Sequence, residues 1–161
     1  MIFMKNTFKR SGAALISLVL LLVLAVSAGA ASSQNVGVKF WKERSDKESM
    51  ANSGIDPDRT ATLTRQANGT YTLTLPVMQV SKLGVTGYLS GLTIGDVTYD
   101  GTLTGDFNKA TAVLTIKNLP ASVLTGSDVN KSVLVTCNIQ MDLQVLGEIN
   151  TSARMCIWNQ K

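Results

Sequence analysis

From residue 31 onward, apolar and polar positions alternate in short runs and never keep a helical apolar period over three turns. Val36-Gly37-Val38-Lys39-Phe40-Trp41 reads as a strand. Asp46-Lys47-Glu48-Ser49-Met50 reads as a short helical turn with Asp46 near its cap, broken afterwards by Gly54 and Pro57. Ala61–Gln66 and Thr70–Leu75 flank Asn68-Gly69, a strong hairpin signal, and Ala67 leaves the loop length open. Val80–Ile94, with Gly84, Gly87 and Gly91, reads as one strand that bends or bulges. Gly95-Asp96 and Gly105-Asp106 bracket Val97–Leu103; Ala110–Lys117 is another strand, stopped by Asn118-Leu119-Pro120. Ser132–Leu146 is long and alternating, Gly147–Asn150 turns the chain, and Thr151–Trp158 ends it.

About eight short strands punctuated by Gly, Asn and Asp, and rich in Thr, predict an all-β domain: an immunoglobulin-like β-sandwich with one short helix. No internal repeat, low-complexity tract or second-domain linker interrupts it.

The first thirty residues are of another kind. Lys5, Lys9 and Arg10 precede the apolar run Ala13–Val26, and Ala28-Gly29-Ala30 offers a small-x-small cleavage site. This predicts a signal-peptide helix over 1–30, cut after Ala30, and a mature domain over 31–161 that is secreted or held at the cell surface. Membrane attachment would require the signal to stay uncleaved as an anchor. The cut also changes the charge. Of 15 basic residues, 3 leave with the signal, so 12 face 11 acids and the mature net charge is +1. No basic stripe remains for nucleic acid, which excludes that partner class.

The chain has no histidine. Ser–His–Asp and Cys–His catalysis, His-ligated zinc and His-ligated haem are therefore excluded. No phosphate-cradling Gly loop leads from a strand into a helix, the acids near turns do not have calcium-loop spacing, and Asp56-Pro57-Asp58 reads as a turn. A binding domain and not an enzyme is expected.

Along Ser132–Leu146 the odd positions, among them Val135, Cys137, Ile139 and Met141, are apolar and the even ones polar. The odd face is the core face. In the last strand Ala153, Met155 and Ile157 share the apolar face, and Arg154, Cys156 and Trp158 share the other. Cys137 then points inward and Cys156 outward. A hairpin closing at Gly147–Asn150 sets Cys156 near Met141, so an intrachain disulfide is not the expected state even in an exported protein that permits one.

The segments Val38–Glu43 and Asp46–Met50, followed by the Asn68-Gly69 hairpin through Tyr71–Leu75, resemble the opening of a NEAT (near-iron transporter) domain. Leu146-Gly147-Glu148-Ile149 and Ser152–Ile157 resemble its closing hairpin. The resemblance implies a β-sandwich secreted or displayed by Gram-positive bacteria, with haem held between a lip segment and the last hairpin in iron acquisition. It implies haem, or a haem-carrying protein, as partner. The family's iron ligand is the first Tyr of a Tyr-x-x-x-Tyr pair, and this chain has Gly147 and Thr151 at those positions. It resembles a divergent member that keeps the Ser-Met lip segment without the tyrosines.

With phenolate and imidazole both missing, thioether and thiolate are left as iron ligands. Met50, in the lip, is the candidate metal ligand; its other reading is a plug closing the end of the sandwich. Ser49 could hydrogen-bond a carboxylate such as a haem propionate, or simply satisfy backbone groups in the turn. Met141 and Met155 are ligands or core filler, and Cys137 is a candidate thiolate or an inert buried thiol. Met78 reads as an edge or core residue. Gly147, Thr151 and Met155 complete the expected cofactor site. Trp41 and Trp158 fall on polar faces, where they either contact a partner or cover the sheet. They motivate the alternative: an interaction module on the same fold that binds a surface protein or glycan and no haem.

Overall fold

The computed structural model describes residues 31–82, 84–142 and 147–161; the expected leader over 1–30 and the end of the strand expected through Leu146 lie outside the described residues. Described in chain order, the strands are β1 (Ser32–Lys42), β2 (Ala61–Arg65), β3 (Tyr71–Pro76), β4 (Val80–Lys82), β5 (Val85–Ile94), β6 (Val97–Thr104), β7 (Val113–Leu119), β8 (Val133–Met141) and β9 (Glu148–Asn159). Their order is β4-β5-β6-β7-β3-β2-β1-β9-β8, and β5 pairs with β8 as well. Eight strands thus close on themselves, with β4 appended.

The all-β expectation is met, and the strands are joined into one barrel-like sheet by the additional pairing of β5 with β8. Period-two alternation fixes which side chains face inward but does not say whether strands distant in sequence pair. Closure comes from β5 and β8, whose register shifts between Leu89 and Gly91. Such a bulge bends the strand and lets a sheet turn back on itself.

The core follows the predicted faces. Leu63 faces Leu73 across β2–β3, Leu73 faces Ile116 across β3–β7, and Leu103 faces Leu114 across β6–β7. Phe40 faces Met155, and Val38 faces Ile157, across β1–β9. Phe40, Leu63, Leu73, Ile116, Met155 and Ile157 are fully buried. Burial of each such side chain stabilises the fold by about 1.5–3 kcal/mol relative to exposure.

Two turn predictions are refined by backbone chemistry. The β2–β3 loop closes with Gln66 N–H donating to the Thr70 carbonyl at 2.8 Å, and Gly69 sits at φ +83°. The extra residue Ala67 lengthens the tight turn, and the glycine supplies the left-handed conformation that the longer loop needs. The single strand expected over Val80–Ile94 is two strands, β4 and β5, with Gly84 at φ +78° between them.

The helical turn predicted over Asp46–Met50 is also corrected. A 3-10 turn runs over Met50–Gly54, with Ser49 as its N-cap, accepting from Ala51 N–H at 3.3 Å. Asp46 is held elsewhere, by Arg154 at 2.7 Å, and that guanidinium also donates to the carbonyls of Lys42 and Ser45. A stretch this short cannot nucleate an α-helix by itself. Tertiary ties therefore decide where the turn begins.

The last hairpin pairs Gln140 with Glu148, Cys137 with Thr151 and Val133 with Met155. Cys156 lies opposite Lys39 of β1, not near Met141. The strand on the near side of the turn ends at Met141, earlier than its alternation suggested, and this moves the register. Both cysteines are free and buried, on opposite faces of the sheet. Cys137 belongs to the core cluster; Cys156 is covered on the outer side, where its thiol reaches the Asp128 carbonyl at 3.6 Å.

Candidate functional site: a neutral cleft under the lip turn

The site begins where β1 loses a neighbour. Ser32–Val36 pair with β2, while Gly37–Lys42 pair with β9 on one side and on the other meet only a single bridge, from Trp41 to Glu48. The open edge at Phe40 is covered by one side chain of the lip turn. Asn52 Oδ1 accepts from Phe40 N–H at 2.8 Å, and Asn52 Nδ2 donates to the Phe40 carbonyl at 2.7 Å and to the Ser49 carbonyl at 3.1 Å. A primary amide offers one acceptor and two donors. Asn52 uses all three functions to stand in for a missing strand, and so fixes the lip turn against the barrel.

Between that turn and the closing strands lies a cleft of about 280 Å³. The lip contributes Ser49, Met50, Ala51 and Gly54; Val80, Val85, Gly87, Tyr88 and Leu89 come from β4 and β5; Ile139, Met141, Ile149 and Thr151 come from β8 and β9. None of these side chains carries a charge. The volume falls just below the usual range of about 300–1,000 Å³ for ligand pockets, which are lined mostly by apolar groups with a few polar ones.

Met141 lies in a cradle built for it. It faces Gly87 across β5–β8. A Cβ placed on Gly87 would come within 2.8 Å of the Met141 Sδ and 3.0 Å of the Gln140 carbonyl oxygen. The glycine leaves room for the thioether to lie against the strand inside the cleft. Met50 stands on the lip, 58% exposed. The cleft therefore brings two thioethers, a serine hydroxyl, a threonine hydroxyl and a phenol to one apolar space.

The candidate residues divide accordingly. Ser49, Met50 and Thr151 line the cleft, as does Met141. Ser49 serves its turn as a cap acceptor, and its hydroxyl proton remains a donor. Gly147 is exposed in the hairpin turn at φ +55° and accepts from Met141 N–H at 3.0 Å; it is not part of the lining. Met155 is fully buried opposite Phe40 and serves the core. Burial pushes the Cys137 thiol up to about 12, so it remains a thiol and not a thiolate at neutral pH. Met78 is exposed and its N–H donates to the Gly54 carbonyl.

The two tryptophans have structural work. The Lys39 ammonium lies 4.6 Å from the centroid of the Trp41 ring and pairs with Glu48. The Trp158 indole covers Gly37, where a Cβ would meet ring carbons at 2.3 Å.

Sequence reasoning missed three contributors. It held that no phenol was available, but Tyr88 lines the cleft, with its ring 5.2 Å from that of Phe107. Gly87 had been read only as a bend. Asn52 had not been singled out, since its role rests on an edge that only the strand order reveals.

No protein-family model matches the chain, and no curated protein matches it in sequence. Among solved structures it is similar to the haem complex of NEAT5 from IsdX2, a B. anthracis hemophore. The TM-score is 0.52 at 10% identity, over 82% of this chain and 99% of that one. A mutant of the same domain, also in complex with haem, matches with the same score and identity over 98% of its length. The chain has a NEAT-like fold. At this identity the likeness concerns the arrangement of the strands, and the resident chemistry has to be argued from the cleft itself.

Proposed function

We propose that this chain is a NEAT-like binding domain, not an enzyme, which takes haem or a related porphyrin into the cleft beneath the lip turn. The observation that carries the reading is the pairing of Met50 and Met141 in one uncharged, apolar cleft at the mouth of a NEAT-like barrel. A flat, largely apolar macrocycle suits such a lining, and thioether sulfur is an established class of haem-iron ligand. Met50 and Met141 are the residues that would hold the iron, and the Ser49 and Thr151 hydroxyls would serve polar groups at the edge of the ring. The bound group would supply the redox-active iron. The protein supplies exclusion of water and fixed sulfur positions.

The absence of a tyrosine at positions 147 and 151 weighs toward the other reading, an interaction module with no haem. That reading relied on Trp41 and Trp158 as contact residues, and both are engaged within the fold. The cleft therefore favours the haem reading. Export by the 1–30 leader, a place outside the cell and exchange with a haem-carrying protein belong to the same proposal.

Haem titration of the purified protein tests it. A saturable shift of the Soret band is expected, weakened by Met50→Ala. No shift at excess haem in either oxidation state refutes the reading.

A further inference from the structure

We infer that the cleft discriminates by oxidation state and takes ferrous haem in preference to ferric haem. The inference rests on the haem reading above and adds which form of the group the site accepts. Two independent features of the lining point the same way.

The first is charge. The porphyrin dianion leaves a ferrous iron centre neutral and a ferric one with a net positive charge. Among the described residues, every side chain that lines the cleft is neutral, and neither Asp nor Glu is among them. A net charge moved from water into an apolar space without a counter-charge is disfavoured. The neutral reduced centre escapes that cost.

The second is ligand softness. Met50 and Met141 offer thioether sulfur, a soft neutral donor that matches the softer, more electron-rich iron and raises the potential of a haem it binds. Gly87, having no side chain, leaves room for the Met141 sulfur against the wall of the cleft. The one group that could reverse the preference is the Tyr88 phenol, because a phenolate would supply both a hard donor and the missing negative charge.

The test is an anaerobic titration of the protein with haem, once under dithionite and once under ferricyanide, read from the Soret and visible bands. Metal-free protoporphyrin serves as a probe of the slot alone. The ferrous form should bind at least tenfold tighter, which for a one-electron couple is a rise of about 59 mV in the potential of the bound haem over the free. In the double variant Met50→Leu, Met141→Leu the ratio should fall to within about threefold of unity, while protoporphyrin binds as before and so reports an intact cleft. Equal affinity for the two oxidation states, or a ferric preference abolished by Tyr88→Phe, overturns the inference and leaves the haem reading standing. Absence of binding in both states overturns both.

Discussion

Replacing Asn52 by alanine isolates the device that fixes the lip. The substitution removes three hydrogen bonds, of 2.8, 2.7 and 3.1 Å. Two of the affected backbone groups keep a partner. The Phe40 carbonyl still accepts from Ser49 N–H at 3.0 Å, and the Ser49 carbonyl still accepts from the backbone N–H of residue 52 at 3.2 Å. Phe40 N–H keeps none, because β2 has already left this stretch of β1. At a net contribution of about 1 kcal/mol per bond, the loss should be about 2–3 kcal/mol. For a domain of roughly 130 residues that corresponds to roughly 7–11 °C in Tm. Urea unfolding of the full chain should show the loss as a lower midpoint with an unchanged slope. Asn52→Asp makes the test specific. It keeps size and the acceptor for Phe40 N–H but turns an oxygen toward two carbonyls, so it should destabilise at least as much as alanine. Amide exchange at Phe40 should rise in both variants. If Asn52→Asp is as stable as wild type, or both variants lie within about 0.5 kcal/mol of it, the strand-surrogate argument is wrong.

Burial raises the folded-state value of the Cys137 thiol to about 12 from an ordinary 9, so the folded state keeps a proton that the unfolded chain gives up. The stability this contributes is complete below pH 9 and is lost as pH rises toward 12, at up to about 1.4 kcal/mol per pH unit. Denaturation curves of wild type and Cys137→Ala should therefore converge in that window, and parallel curves would refute the assignment. Gly37→Ala should displace the Trp158 indole and cost about 1–3 kcal/mol, with a change in tryptophan fluorescence; an unchanged spectrum and midpoint would show that the ring does not rest there. Met155→Ala should cost about 2–5 kcal/mol from the cavity left opposite Phe40, whereas Met141→Ala, at the half-open cleft, should cost less than half as much. Equal losses in a thermal melt would contradict this division into core and cleft.

The inward faces were legible in the sequence because alternation is a local property. Val135, Cys137, Ala153, Met155 and Ile157 all lie where the period placed them. The lip was legible by its Ser-Met pair, shifted in bounds because Arg154, more than one hundred residues away, holds the loop before it. Closure was not legible. The pairing of Leu92 with Cys137 depends on a bulge whose only trace is the glycine at 91. The cleft inherits that limit: Gly87, Tyr88 and Met141 meet only once β5 and β8 are side by side. Register in the last hairpin failed for a related reason, since β9 already begins at Glu148, inside the Gly147–Asn150 stretch that reads as a turn.

The cleft exists because two strands part from their neighbours at the same end of the barrel. β1 leaves β2 beyond Val36, and β5 pairs with β6 only from Gly91 onward, having β4 beside it at Val85–Gly87. Each departure exposes backbone edge, and the lip turn covers one of them through Asn52. The ladder hydrogen bonds of the closing hairpin are made by backbone atoms, so they do not depend on which side chain stands at 149 or 151. Thr151 is half-buried and Ile149 exposed, and neither belongs to the packed core. Cleft-lining positions on β9 can therefore change chemical type at small cost to stability, while the buried Leu and Ile ladder preserves the barrel. A barrel similar to a haem-bound NEAT domain at 10% identity, with no tyrosine at positions 147 and 151 and with thioethers in its cleft, follows from that separation.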